Sequence, residues 1–150
     1  MSLESARKED IQVGDKMPDG TIYAGISPDT GKAMYATPKD APLTYTFKQA
    51  QKYEREFNHL EELAQNYGEK PASHHTDWRV PTKGELNVLW ENRDKGALKG
   101  TFNETGSYKD GWYWSSSPNR LLSAWMQRFT DGHQLSNSRI FFSSLRCVRG

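Results

Sequence analysis

Four groups of residues carry side chains able to do chemistry. His74-His75-Thr76-Asp77 sets two imidazoles beside a carboxylate, and both are metal-ligand types. Adjacent histidines seldom aim at one ion, and no third ligand follows at a recognised spacing, so a solvated loop is the better reading. Ser115-Ser116-Ser117, Asp131 and His133 supply the parts of a nucleophile, an orienting carboxylate and a base. No strand–turn–helix elbow surrounds those serines, which such a nucleophile would need. Cys147 is the only cysteine, which excludes an internal disulfide and an all-cysteine metal site. In an alternating strand, on one face with Leu145 and Arg149, it reads as a small buried hydrophobe. Asn103, Glu104 and Asp110 share a polar loop with oxygens of the kind calcium takes, though loops are polar simply because they are solvated. No glycine-rich strand-to-helix turn that would cradle a phosphate occurs.

Contact chemistry is better represented. Between Asp110 and Gly150, Arg120, Arg128, Arg139, Arg146 and Arg149 stand against Asp110 and Asp131, interleaved with rings. Arginine beside aromatic residues is the composition of protein and glycan contact surfaces. The whole chain, with 20 basic and 19 acidic residues, has a net charge of +1 and so lacks the excess usual in a nucleic-acid binder. Trp78, Trp90, Trp114 and Trp125 read mostly as core. Trp112 and Tyr113 border a loop, and one of these rings is expected to stack on a ligand. The pair Phe141-Phe142 must turn one ring away from the core if it lies in a strand.

The elements that hold these residues follow from periodicity. Residues 1–12 are charged and aperiodic, a frayed terminus or a cloning remnant, and 13–150 reads as a single domain. Turn signals at Met17-Pro18-Asp19-Gly20 and Ser27-Pro28-Asp29-Thr30-Gly31 flank two short β-leaning segments, which predicts a hairpin. Phe47, Ala50, Tyr53, Phe57, Leu60, Ala64 and Tyr67 form an apolar stripe, which predicts a helix over 47–67. A Thr46/Gln49 capping box opens it, and Glu54, Arg55, Glu56, Glu61 and Glu62 are expected to face water. A second box, Thr82/Glu85, opens a helix buried through Leu86, Leu89 and Trp90. Residues 97–111 form a long loop, and strands are expected at Trp112–Trp114, Ala124–Thr130, after the Asp131-Gly132 turn, at Arg139–Phe142 and at Leu145–Arg149. No run approaches the ~20 apolar residues of a membrane span, and no signal-peptide pattern opens the chain.

In this order Trp78-Arg79-Val80-Pro81-Thr82 with Glu85-Leu86, Tyr113-Trp114-Ser115-Ser116-Ser117, Ala124-Trp125 with Phe129 and Gly132, and Arg146-Cys147-Val148-Arg149 resemble the Lcl C-terminal domain family, from about Gly14 to Arg149. The resemblance implies an α+β, C-type-lectin-like fold: two helices flanking small antiparallel sheets, with the N- and C-terminal strands close together. It places Arg146 and Arg149 in the closing strand, where they are expected to be structural, paired with a carboxylate such as Asp77 or Glu85. It also implies a distant similarity to the formylglycine-generating (sulfatase-modifying) enzymes, whose cysteine pair this chain lacks. Catalysis of that type is therefore not expected. Calcium-dependent sugar binding is not favoured either, because the strand carrying Trp112 to Ser116 brings no carboxylate. No cofactor and no metal are expected. The expectation is a non-catalytic recognition module for a glycan or protein ligand, one domain of a bacterial surface, secreted or phage-related protein. Its contacts are placed at Tyr108, Trp112, Asn119, Arg120, His133, Asn137 and Arg139. A redesigned enzyme on the same scaffold, or a purely structural domain, are the alternatives.

Overall fold

A computed structural model describes residues 11–68 and 75–150. The charged segment 1–10, and His74 with it, lie outside the described residues. The first hairpin forms as its turn signals require, with β1 (Ile22–Ile26) antiparallel to β2 (Ala33–Ala36). Gly25, at φ +116°, takes up a register shift that a side chain would resist; a Cβ there would meet Asn92 and Val88. Met34 and Ala36 alternate inward, and β2 pairs on its far edge with β6 (Val148–Arg149). The N–H and C=O of Val148 both bond to Arg79, so the chain end is gripped on two sides.

Both capping boxes are made. Thr46 opens α1 (Phe47–Asn66), and Thr82 opens α2 (Lys83–Glu91). The first half of α1 buries the expected face, but further along the buried side departs from the apolar stripe. Glu61 is buried, whereas Leu60 and Tyr67 are exposed. At 100° per residue, position 61 lies about 20° around the helix from Ala50, and position 60 about 80°. Apolar identity misassigned a place that the angle alone gives to Glu61.

A 3₁₀ turn (Gly96–Leu98) leads to a second antiparallel sheet, β3 (Trp112–Arg120), β4 (Ser123–Arg128) and β5 (Gln134–Ser138). The molecule is thus α+β, with two three-stranded antiparallel sheets and two α-helices among the described residues. The expected closeness of N- and C-terminal strands is present in the β2–β6 pair. The strand expected over 139–142 is absent. β5 ends at Ser138, and the next residues turn back along β3 until Ser144 bridges Tyr113 in parallel. The predicted strand Leu145–Arg149 shortens to β6.

Two apolar clusters fill the interior. One joins Ile22, Met34, Leu86, Leu89, Tyr113 and Phe129; the other joins Trp78, Trp112, Trp114, Met126, Leu145 and Cys147. Trp90 and Trp125 are only half-buried, and Trp112 has taken a core place instead.

Arg146 is fully buried, with its guanidinium 4.1 Å over the Phe102 ring. It donates to Asp40 at 2.8 and 2.9 Å, to the Thr37 carbonyl at 3.1 Å and to both oxygens of Thr101. Of the expected partners, Asp77 does hold Arg149, at 2.8 Å, whereas Glu85 holds Arg79 at 2.5 Å and Arg146 takes Asp40 instead. Glu85 also accepts from Ser27 at 2.6 Å and from the Thr82 N–H, so its buried carboxylate is fully engaged.

Candidate functional site

The groups that suggested catalysis are drawn into structure. The Ser115 hydroxyl donates to the Trp125 carbonyl at 2.7 Å within the buried start of β3. Asp131 binds the Arg128 guanidinium at 2.6 Å and the backbone N–H of His133, not its ring. That Arg128 hydrogen bond holds the Asp131 carboxyl far below the usual range. Ser115, His133 and Asp131 therefore do not line up as nucleophile, base and carboxylate. His75 lies 2.5 Å from Asp19, and no set of three His, Cys, Asp or Glu able to hold a metal occurs among the described residues. Burial pushes the Cys147 thiol up to about 12, so it is un-ionised and inert at neutral pH.

Six of the seven expected contact residues separate into two groups, and Tyr108 stands apart against Phe141. β3 extends nine residues, so its ends stand roughly 27 Å apart at about 3.3 Å per residue. Trp112 and His133 lie at one end, their rings edge to face at 6.3 Å. Arg120, Asn119, Asn137 and Arg139 lie at the other, around the β3–β4 hairpin. Several are occupied internally. Trp112 is 8% exposed, with Arg128 over its ring, and offers no stacking face. Arg139 donates to the Ser123 carbonyl at 3.1 Å and to the Arg120 carbonyl at 2.9 Å, and covers Phe47. Asn119 donates to Ser136 at 2.8 Å, and the Asn137 side chain accepts from the Ser138 N–H. Tyr108 stays exposed with its ring against Phe141 at 6.0 Å. Arg120 is exposed and has no ion pair among the described residues. The expected site is therefore not one site, and Arg120, Tyr108 and His133 keep exposed side chains without a hydrogen bond among the described residues.

The structure instead brings forward residues that the sequence reading passed over. Leu121 and Leu122 form the entire two-residue loop between Arg120 and Ser123, and are 85% and 75% exposed. Ile140, 75% exposed, lies beside them, because the Arg139 N–H bonds to the Leu122 carbonyl. Phe141 and Phe142 continue this apolar row toward Tyr108, so both rings of the pair face outward in part. A signal was present in the sequence: two leucines fill a tight turn where Gly, Asn or Asp normally sits. Neither leucine has positive φ, and the strands accommodate the unusual loop through register shifts around Pro118.

A separate cavity of about 220 Å³ lies against the N-terminal half of α1. Tyr53, Phe57, Trp78, Ala41 and Cys147 line it, and Asp19, Asp40 and the exposed Pro38-Lys39 stand among its polar or open borders.

The family model for the Lcl C-terminal domain matches residues 28–149. That span takes in both helices, the second sheet and the closing strand, as well as the exposed hairpin. No curated protein matches the chain.

Proposed function

Starting from the fact that the chain belongs to the Lcl C-terminal domain family, we propose that it is a non-catalytic recognition module that binds a protein ligand through the β3–β4 hairpin and the adjoining 139–142 turn. The observation that carries this reading is the exposed aliphatic tip Leu121-Leu122 with Ile140 at its side. Contiguous apolar surface of this kind marks interaction sites, whereas a tip with no partner would favour polar turn residues. The tip is also braced, because Arg139 bonds to both sides of the hairpin. A pre-ordered patch loses little conformational entropy on binding.

The side chains also favour protein over glycan. Sugar recognition relies on flat rings and free hydrogen-bonding groups, and here Trp112, Asn119 and Arg139 are already engaged internally. Leu121, Leu122 and Ile140 suit the apolar face of a protein, and Arg120 at the edge suits a carboxylate on that partner. A C-type-lectin-like scaffold, as the sequence motifs imply, would present such a turn on a stable base.

The test is binding to protein and glycan arrays by the wild-type chain and a Leu122→Asp/Ile140→Asp double variant. Protein binding by the wild type should fall at least about tenfold in the variant. Binding confined to glycans, or protein binding undiminished by the two substitutions, would overturn the reading.

A further inference from the structure

The cavity against α1 has walls and charges of a definite kind. Three rings form its apolar side: Phe57 stacks on Trp78 with centroids 5.7 Å apart, and Tyr53 is tilted against Phe57 at 6.0 Å. Ala41 and Cys147 complete it. Its volume of about 220 Å³ exceeds the roughly 150 Å³ in which an apolar protein cavity takes up benzene.

The carboxylates at its border are already satisfied. Asp19 accepts from the N–H and hydroxyl of Thr21 and lies 2.5 Å from His75. Asp40 accepts from Arg146 and, at 2.5 Å, from the Tyr113 hydroxyl. Neither is left seeking a ligand ammonium, and Lys39 stands at an exposed position where water solvates it. The Tyr53 hydroxyl, by contrast, makes no hydrogen bond among the described residues. Burial pushes it up to about 12, so it keeps its proton and is a donor at neutral pH.

We infer that this pocket binds a neutral aromatic ring of about indole size, its body against Tyr53, Phe57 and Trp78 and a polar atom or π-face on the Tyr53 hydroxyl. A flat ring gains the apolar contact these walls offer, and a charged ligand would lose hydration against them, since the border carboxylates are already paired and Lys39 offers only a solvated contact. This site is independent of the hairpin surface, because it draws on α1, the segment after β2 and Trp78 rather than on β3 and β4.

The test is an NMR titration of the full chain with indole, tryptamine and indole-3-acetate. Indole should saturate at a dissociation constant near or below about 1 mM. Shifts should concentrate at Thr37 to Ala41, Tyr53 and Trp78, and leave Leu121 and Leu122 unmoved. The two charged analogues should bind at least about fivefold more weakly, for want of a partner charge. Ala41→Phe, which plugs the cavity, should abolish binding, and Tyr53→Phe should weaken it about threefold. If Ala41→Phe fails to fold, Tyr53→Phe decides. Absence of saturable shifts, shifts centred elsewhere, tighter binding of either charged analogue, or unaltered affinity in Tyr53→Phe would overturn the inference. None of these results bears on the hairpin reading, whose probe is a protein ligand.

Discussion

The surroundings of Arg146 and the Leu121-Leu122 tip treat polarity in opposite ways. Around Arg146 a charge is buried, and every direction of its guanidinium is met by Asp40, Thr37 or Thr101. At the tip, aliphatic side chains are left in water, whereas the β4–β5 turn at the other end of the sheet uses threonine, aspartate and glycine. Each arrangement is unfavourable in isolation, because an unpaired buried charge and a solvated apolar row both raise the free energy. The first is offset inside the molecule, where the guanidinium ties the segment after β2 to the segment before β6. The second has no internal offset. This asymmetry is why one region reads as architecture and the other as a surface that meets a partner.

The widest gap between the two should appear in stability. Arg146→Met leaves Asp40 without its cation and strands carbonyl acceptors, so urea denaturation should show a loss of about 3 kcal/mol. A loss under about 1 kcal/mol would show that the buried charge is not structural. A smaller effect is expected at the β4–β5 turn, at the end of the sheet opposite the tip. Gly132 has φ +79°, and a Cβ there would lie 2.6 Å from the Trp90 ring. Gly132→Ala should therefore destabilise by about 2 kcal/mol in the same assay, mixing backbone strain with a clash.

Acid should separate the two carboxylates near the cavity. Burial acts to raise the Asp19 pKa, but hydrogen bonds from His75 and Thr21 outweigh it and hold it below 3.8. The unfolded chain then takes up a proton there before the folded chain does, so this contribution is present above the unfolded value and lost as pH falls through the folded one. Asp40 has the reverse sign: burial raises its pKa against the pull of Arg146, which favours the folded state on acidification. Between about pH 5 and pH 2, Asp19→Asn should flatten the fall in urea midpoint by an equivalent of at most about 1 kcal/mol, and Asp40→Asn should steepen it. The opposite pattern would reverse the assignment of the two groups. The smallest effect belongs to the tip. Leu122→Ser with Ile140→Ser should change stability by no more than about 0.5 kcal/mol, because neither side chain leaves a cavity behind. A larger loss would make the tip part of the core and erase the contrast.

Local patterns were legible where local physics decides. The Thr46/Gln49 and Thr82/Glu85 boxes open their helices as their spacing demands, and Asp131-Gly132 turns the chain where expected. The motifs carried the family and the closing strand. The candidate site was much less legible. Trp112, Asn119, Asn137 and Arg139 were chosen for side-chain type in loops or beside them, yet type does not say whether a side chain is already engaged. The Arg139 guanidinium is held by two carbonyls of the hairpin, and Trp112 is covered by Arg128. Glu61 shows the same limit on α1, where helical angle outranked polarity. The Leu121-Leu122 loop was the missed opportunity, since two leucines between strands break turn chemistry in plain view.

Residue order alone therefore determined the two capped helices, the hairpin turns, the lack of a disulfide and the family, because these depend on neighbours within a few positions or on motifs kept in sequence. Tertiary structure decided which carboxylate meets which arginine, that the chosen contact residues stand at opposite ends of β3, and that three rings from α1 and Trp78 enclose a cavity. Those outcomes depend on groups separated by tens of residues, such as Asp40 and Arg146. Chain closure brings them within hydrogen-bonding distance, and no local pattern specifies that geometry.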